Sequence, residues 1–170
     1  MAVRGTADDT KWELSHRYVA GVVPRATHRT IVMHQWTPDL KAGIEWNPRV
    51  DEAGLVANWR ILRETATRPA LIAGTSSDRI GTPEGQSYFV TVSKGFGRIA
   101  PYAGASWSTY EDRLLIPFGL NVGLGDRASA MLINDGVHTH LSATVAWQRF
   151  AVTLLAVERK HFGITVGTRF

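Results

Sequence analysis

The chain has 170 residues, of which 44% are hydrophobic and 20% charged, with no cysteine and a formal net charge of +4. This length suits one domain, and the lack of cysteine excludes a disulfide scaffold, a thiolate metal site and a cysteine nucleophile. No apolar run approaches about 18 residues, which excludes a membrane-spanning helix but not a barrel of alternating strands. The basic residues are scattered singly, without a recognition-helix pattern, so we expect no nucleic-acid partner.

The first ten residues, Met1–Thr10, are polar and lack the apolar core of a secretion signal. We expect residues 1–10 to be a flexible segment and residues 11–170 to form a single domain. Export of such a chain would require that a signal peptide had already been removed.

The rest of the chain repeats one pattern, in which a segment of about ten residues alternates with period two and a short turn follows. Only Val50–Glu64 could instead be a helix. The alternation is clearest in Phe162–Phe170, where aromatic and branched residues fall on one face and small residues with Arg169 on the other. Leu40–Asn47, Leu114–Gly125 and His138–Trp147 alternate in the same way.

The composition of the second face indicates lipid rather than water outside the sheet. In a soluble sheet the face turned to solvent carries charges, whereas here it is mostly Gly, Ser, Thr, Asn and Ala. Apolar residues outside and small polar residues inside are typical of a barrel in a membrane. The alternative is a soluble β-barrel of lipocalin type, which would keep its apolar residues inside.

Turn signals divide the chain into about twelve strands, each long enough to cross a bilayer at roughly 9–11 residues. The predicted fold is therefore all-β, a single antiparallel up-and-down transmembrane β-barrel with both termini on the periplasmic side. The first two segments alternate poorly, so ten strands is the alternative. The turns are predicted near residues 24–28, 37–39, 48–52, 63–68, 77–86, 97–100, 111–113, 125–127, 134–137, 147–149 and 158–161.

Aromatic residues fall near the strand ends in this arrangement, as expected of rings that lie at the headgroup level of a membrane. Those predicted near the periplasmic end are Trp12, Trp36, Phe96, Trp147, Phe150 and Phe170. Those predicted near the other end are Trp46, Tyr88, Trp107, Tyr110 and Phe162.

The chain ends in the nine residues FGITVGTRF, with apolar side chains at alternate positions before a terminal Phe170. This strand resembles the C-terminal signal by which bacterial outer-membrane β-barrel proteins are recognised for assembly. The resemblance is to that general class and to no particular subfamily. It implies a Gram-negative outer membrane, contact with its lipid and lipopolysaccharide, and recognition of the Phe170 strand by the barrel-assembly machinery.

Isolated ionisable residues on the inward face are candidates for the lumen and its constriction. They could pair with one another and plug the interior, or form a basic constriction that selects anions. The many inward Gly, Ser and Ala residues leave room for water, since twelve strands enclose more space than eight. The candidates are Glu13, Arg17, Lys41, Glu45, Arg60 and Arg169, together with the amide of Asn58.

Two histidines share one face of a predicted strand near the outer mouth. His138 and His140 lie close in sequence to Asp135 and Ser142. A base beside a nucleophile would suit a lipid-active outer-membrane hydrolase, and two histidines could begin a metal site, although no third ligand is evident. The alternative is a hydrophilic lining beside a tight turn, and we predict neither a metal nor a cofactor.

The longest predicted loop spans residues 76–85, and we expect it to fold over the mouth. Its glycines match no phosphate-binding spacing. The leading functional hypothesis is a narrow, water-lined channel for small solutes, among which anions would be favoured. The alternatives are a structural barrel that anchors or encloses an envelope assembly with a protein partner, and the hydrolase that uses His138 or His140; we do not expect an enzyme.

Overall fold

The computed structural model describes residues 11–170, and the predicted flexible segment 1–10 lies outside the described residues. The strands are β1 (Trp12–Val19), β2 (His28–Thr37), β3 (Leu40–Asn47), β4 (Glu52–Leu62), β5 (Ala70–Ser77), β6 (Gln86–Ser93), β7 (Ile99–Ser108), β8 (Arg113–Leu115), β9 (Phe118–Gly123), β10 (Ala128–Asn134), β11 (Thr139–Trp147), β12 (Phe150–Val157) and β13 (His161–Arg169). A four-residue helix, α1 (Pro24–Thr27), precedes β2. In residues 11–170 no helix is long and apolar enough to cross a membrane.

The strands form one antiparallel sheet that closes on itself, because β1 pairs with both β2 and β13. Two short strands, β8 and β9, pair with the end and the beginning of β7. They are one strand interrupted at Pro117, which has no N–H to donate to the sheet, although its carbonyl still accepts the N–H of Gly104 at 2.8 Å. The barrel is therefore twelve-stranded, as the sequence predicts, and the ten-strand alternative is wrong.

Apolar side chains cover the outside of the barrel. Leu114, Ile116, Phe118 and Leu124, which were predicted to share a face, are all exposed. The inward positions of the same wall hold Gly119, Asn121 and Gly123, and Leu115 and Pro117 are the apolar exceptions. The prediction of an inverted, membrane-type barrel is confirmed, and a soluble barrel with an apolar interior is ruled out.

The segment that could have been a helix is a strand. Residues Glu52–Leu62 form β4, which pairs with β3 on one side and β5 on the other. The pairing partners on both sides supply the hydrogen bonds that a helix would have made within the segment. Sheet pairing therefore outweighs a local pattern that is ambiguous between helix and strand.

The poor alternation of the first two segments has a specific cause. Outward positions of β1 and β2 carry His16, His28 and Thr30 where other strands carry apolar residues. These side chains bond to one another, with His16 Nδ1 2.9 Å from Thr30 Oγ1 and His16 Nε2 3.3 Å from His28 Nδ1. Their mutual hydrogen bonds lower the cost of polar groups on an otherwise apolar wall.

The connections lie at two ends of the barrel, which we call the terminal end and the loop end. The terminal end holds both ends of the barrel chain and the connections 38–39, 63–69, 94–98, 124–127 and 148–149. The loop end holds the connections 20–27, 48–51, 78–85, 109–112, 135–138 and 158–160. Every predicted turn coincides with one of these connections.

The aromatic residues named from the sequence are all exposed. Trp12, Trp36, Phe96, Trp147, Phe150 and Phe170 lie toward the terminal end, and Trp46, Tyr88, Trp107, Tyr110 and Phe162 toward the loop end. Their role at a membrane interface stays a prediction.

Candidate functional site

The interior of the barrel carries its charges on one side. Strands β5–β7 and β9–β12 contain no Asp, Glu, Lys or Arg, and we call their inward surface the neutral wall. The inward positions of β13 and β1–β4 form the opposite, charged wall. The charged wall consists of Glu13, Arg17, Arg29, Lys41, Glu45, Glu52, Arg60 and Arg169.

The centre of the charged wall is Glu45, whose side chain is fully buried. Arg29 makes an ion pair with it, and its Nε donates to Glu45 Oε2 at 2.8 Å. Arg17 lies directly opposite Arg29 in the pairing of β1 and β2. Two guanidinium groups thus flank one carboxylate, which leaves the centre of the wall with an excess of positive charge.

Two atoms at this centre are buried without a hydrogen-bond partner, Arg17 Nε and Glu45 Oε1. Buried polar atoms are almost always satisfied by protein, water or a ligand. Arg17 and Glu45 were both predicted from the sequence as lumen residues. Both atoms are enclosed by the surrounding side chains, so the centre of the charged wall holds a donor and an acceptor that the described residues do not pair.

At the terminal end, Glu13 bridges two predicted lumen residues. Its Oε1 lies 2.5 Å from Lys41 Nζ and 3.1 Å from Arg169 Nε. All three side chains are partly open to solvent. Their charges are therefore paired at a wet rim, where exposed ion pairs contribute little to stability.

A second exposed ion-pair cluster surrounds Asp39 in the turn between β2 and β3. Arg60 Nε donates to Asp39 Oδ1 at 2.8 Å, and Arg63 Nη2 donates to Asp39 Oδ2 at 2.7 Å. The hydrogen bonds from Arg63 and then Arg60 lower the pKa of Asp39 to about 2. Arg60, a predicted lumen residue, thus lies at the solvent-exposed rim of the terminal end.

At the loop end, a single buried arginine holds the longest loop. Arg25 of α1 is 3% exposed. Its Nη2, Nε and Nη1 donate to the carbonyls of Asp78 (3.1 Å), Thr82 (3.1 Å) and Gly85 (3.2 Å). Nη2 also donates to Thr82 Oγ1 at 2.6 Å, and Thr82 is 1% exposed. Burial lowers the pKa of Arg25, and the attraction of Glu52, 3.9 Å away, opposes this.

The loop 78–85 extends across the barrel mouth. It leaves the sheet between β5 and β6, halfway round the ring from the turn that joins β12 and β13. A Cβ placed on Gly81 would nevertheless lie only 3.8 Å from Oε1 of Glu158 in that turn. Arg79 reaches Glu111 at 2.5 Å and donates to Nδ1 of His138 at 3.4 Å. The loop thus closes over the mouth, as the sequence predicts.

The two predicted histidines lie next to the part of this loop that contains Arg79 and Gly81, which we call its far side. His140 is buried, and its Nε2 lies 3.0 Å from Asp135 Oδ2 while its Nδ1 accepts the N–H of Glu158 at 3.2 Å. Both ring nitrogens are therefore engaged, which fixes the tautomer and leaves neither free to activate a nucleophile such as Ser142. His138 lies in the turn beside it, with Nδ1 3.2 Å from Glu158 Oε1.

Asp135 organises the turn that carries His138. Burial raises its pKa, but hydrogen bonds from His140 and from the backbone N–H groups of His138 and Val137 outweigh that effect and leave the pKa lowered. The carboxylate therefore stays charged and holds His140 in place. This is the geometry of a structural turn rather than of a catalytic dyad, and within residues 11–170 no group of three His, Cys, Asp or Glu side chains could hold a metal.

Sequence reasoning missed several residues of this site. Arg29 and Glu52 were not assigned a face, because the outward histidines obscure the alternation of β2 and because Glu52 follows directly on a turn. Arg25, Arg79 and Glu111 lie in connections, where strand periodicity gives no direction to a side chain. The only signal at Arg25 is the preceding Pro24, which starts α1.

The solved structures to which this chain is similar are porins. The chain is similar to a structure described as KdgM porin, with a TM-score of 0.61 and 10% identity over 94% of this chain and 99% of that one. A KdgM porin in complex with disordered oligogalacturonate gives 0.60 at 9% identity over 94% and 98%. A NanC porin in a rhombohedral crystal form gives 0.54 at 10% identity over 94% and 98%. No protein-family model and no curated protein matches the chain. At these identities the likeness establishes the fold, a porin-like barrel of outer-membrane type.

Proposed function

We propose that this protein is an outer-membrane channel for small solutes and that its interior favours anions. The observation that carries the proposal is the combination of an apolar outer wall with a polar, partly charged interior. A closed sheet of this kind satisfies its backbone in lipid and leaves a wet lumen. The porin fold supports the same assignment.

The preference for anions follows from the centre of the charged wall. Arg17 and Arg29 face one carboxylate, Glu45, and Arg17 Nε has no hydrogen-bond partner. An anion in the lumen would experience the net positive charge of the two guanidinium groups, and a guanidinium attracts carboxylates and phosphates well. The paired cations at the terminal end would contribute less, because their charges are compensated.

The test is ion selectivity in a planar lipid bilayer. We expect discrete current steps, and in a salt gradient a reversal potential that indicates anion preference. Arg17→Gln should reduce the anion-to-cation permeability ratio severalfold. The matched control is Arg127→Gln, which removes the same charge from an exposed turn at the terminal end and should change the ratio little. Cation preference in the wild type, or equal effects of both variants, would refute the anion proposal.

A second candidate function is a structural barrel that anchors or encloses an envelope assembly. The observation that favours it is that the loop 78–85 lies across the barrel mouth. A barrel that is closed at one end could have a structural role without conducting a solute. It predicts insertion into bilayers without current and co-purification of an envelope protein at fixed stoichiometry. In either case we propose that lipid and lipopolysaccharide contact the aromatic ends of the wall and that the Phe170 strand is recognised during assembly.

A further inference from the structure

The loop 78–85 is held by different contacts on its two sides, which are the near side, where it contacts Arg25, and the far side, where Arg79 contacts other loops. On the near side, Arg25 donates to the Thr82 hydroxyl and to four loop carbonyls, one of them that of Arg79, and none of these acceptors titrates near neutral pH. On the far side, Arg79 contacts Glu111 and His138. Histidine is the side chain whose charge ordinarily changes between about pH 5 and 8. The far side therefore contains a group able to respond to pH, and the near side does not.

His138 has two partners that compete for the same ring nitrogen. Arg79 Nη1 lies 3.4 Å from Nδ1, and Glu158 Oε1 lies 3.2 Å from Nδ1. A neutral ring with a lone pair on Nδ1 accepts the hydrogen bond from Arg79. A protonated ring carries a hydrogen on Nδ1, so it donates to Glu158 and can accept nothing. The two contacts therefore belong to two protonation states.

Protonation also changes the charges around the loop. It places a second positive charge 3.4 Å from the guanidinium of Arg79. Glu111 still holds Arg79, because the hydrogen bond from Arg79 keeps the pKa of Glu111 below its ordinary value although burial opposes it. Asp135, which accepts the backbone N–H of His138 at 2.7 Å, stays ionised as well. Acid thus removes the contact between Arg79 and His138 and leaves the contact between Arg79 and Glu111.

Protonation of His140 would also loosen the surroundings of the loop. Its Nδ1 accepts the backbone N–H of Glu158 at 3.2 Å. A proton on Nδ1 would break this bond and loosen the turn 158–160, against which the loop lies. The opposite contact, from His140 Nε2 to Asp135, survives protonation because Nε2 already donates.

From this geometry we infer that residues 78–85 are a gate, latched at neutral pH by the contacts of Arg79 with His138 and Glu111 and loosened in acid as His138 changes partner to Glu158. The inference rests on the proposed channel function, since the gate would control entry to that channel. Arg25 fixes the loop backbone, including the carbonyl of Arg79 at 3.3 Å, so the part that moves is the side chain of Arg79 with residues 80–81.

The first test is current through single channels at about pH 7.5 and about pH 5. Loss of one hydrogen bond should raise the open fraction of the wild type about fivefold in acid. His138→Asn places an acceptor near the position of Nδ1 but cannot be protonated, so its open fraction should rise much less than that of the wild type, by no more than the contribution of His140. The matched control is His28→Asn, on the outer wall, which should respond as the wild type does.

The second test observes the loop itself, without relying on current. The chain has no cysteine, so Ile80→Cys, between Arg79 and Gly81 in the loop, gives a single site for a spin label. Label mobility should rise on acidification in the wild-type background and rise much less in the background of His138→Asn, whereas an equal rise in both backgrounds would overturn the role of His138. Mobility that is independent of pH in both backgrounds overturns the gate.

The two tests separate the gate from the channel. A label that responds to pH, in a protein that passes no current at either pH, supports the gate motion and rejects the channel. Current that is the same at both pH values in all three proteins, with constant label mobility, rejects the gate and leaves the channel intact.

Discussion

The two ends of the barrel use arginine in opposite ways. At the loop end Arg25 is 3% exposed and donates to four backbone carbonyls and a hydroxyl, so it holds a loop across the mouth. At the terminal end the side chain of Arg63 is 59% exposed and pairs with the carboxylate of Asp39 in solvent. The same residue type is a buried structural clamp in one place and a solvated ion pair in the other.

This difference shows that burial and the nature of the acceptor, rather than the presence of an ion pair, decide what a charged residue does here. A buried guanidinium that loses its carbonyls leaves several polar atoms unsatisfied. An exposed ion pair that is removed is replaced by water at little cost. Substitutions at the two ends should therefore differ in their effect on stability, with the largest loss at Arg25 and the smallest at Asp39.

The largest effect is expected at Arg25. Arg25→Ala should lower the free energy of unfolding by about 4 kcal/mol, because buried carbonyls of the loop lose their donor. Denaturant unfolding in detergent micelles measures it. Arg63→Ala is the matched control at the other end and should leave the unfolding midpoint unchanged. Equal midpoints for the two variants would show that the ends do not differ.

Glu45→Gln should have the next largest effect, a loss of about 3 kcal/mol in the same assay, because it leaves two partly buried guanidinium groups without their central carboxylate. Glu13→Gln is the control, since Glu13 is a partly solvated partner of two cations at the terminal end. A larger loss for Glu13→Gln than for Glu45→Gln would contradict the assignment of the buried centre.

Asp135 should give a smaller effect that depends on pH. Asp135→Asn is expected to cost about 1 kcal/mol at neutral pH through weakened hydrogen bonds to His140 and the turn. Because the pKa of Asp135 is lowered on folding, its stabilisation is present above the unfolded pKa and is lost as the pH falls through the folded pKa. Unfolding measured from neutral to acidic pH should show the variant and wild type converging in acid; a constant difference would contradict this.

The smallest effect on stability is expected at Asp39, although its pKa is shifted to about 2. Asp39→Asn removes two exposed ion pairs, so the unfolding midpoint should barely change. Titration of the Asp39 carboxyl by NMR should show it ionised well below the ordinary range of aspartate. A large loss of stability, or an ordinary pKa, would mean that the terminal end is less solvated than its exposure indicates.

The strands and turns were predictable because each strand obeys a period-two rule that a short window reveals. Every turn was located, and the fold class and strand number followed. Val50–Glu64 was ambiguous because the pairing that makes β4 a strand lies in its neighbours. The orientation of β1 and β2 was blurred because His16, His28 and Thr30 face outward, against the rule.

The site was predictable only where it lies on strands. Glu13, Arg17, Lys41 and Glu45 were assigned to the interior from alternation, and they lie there. The loop residues could not be assigned, because the contact between Arg25 and Thr82 joins positions 57 residues apart and no periodicity connects them. The roles of His138 and His140 also depend on Arg79 and Glu158, which lie in other connections. Only the closed barrel brings these residues together.

The most direct test of the account is access to the lumen from each end. Ser142→Cys places a single thiol on the inward face of β11, and the protein is inserted into liposomes in one orientation. A water-soluble, membrane-impermeant thiol reagent is then added to one side or the other at neutral pH. The account predicts fast labelling from the terminal end and slow labelling from the loop end, where residues 78–85 cross the mouth. Equal rates from both sides would contradict it.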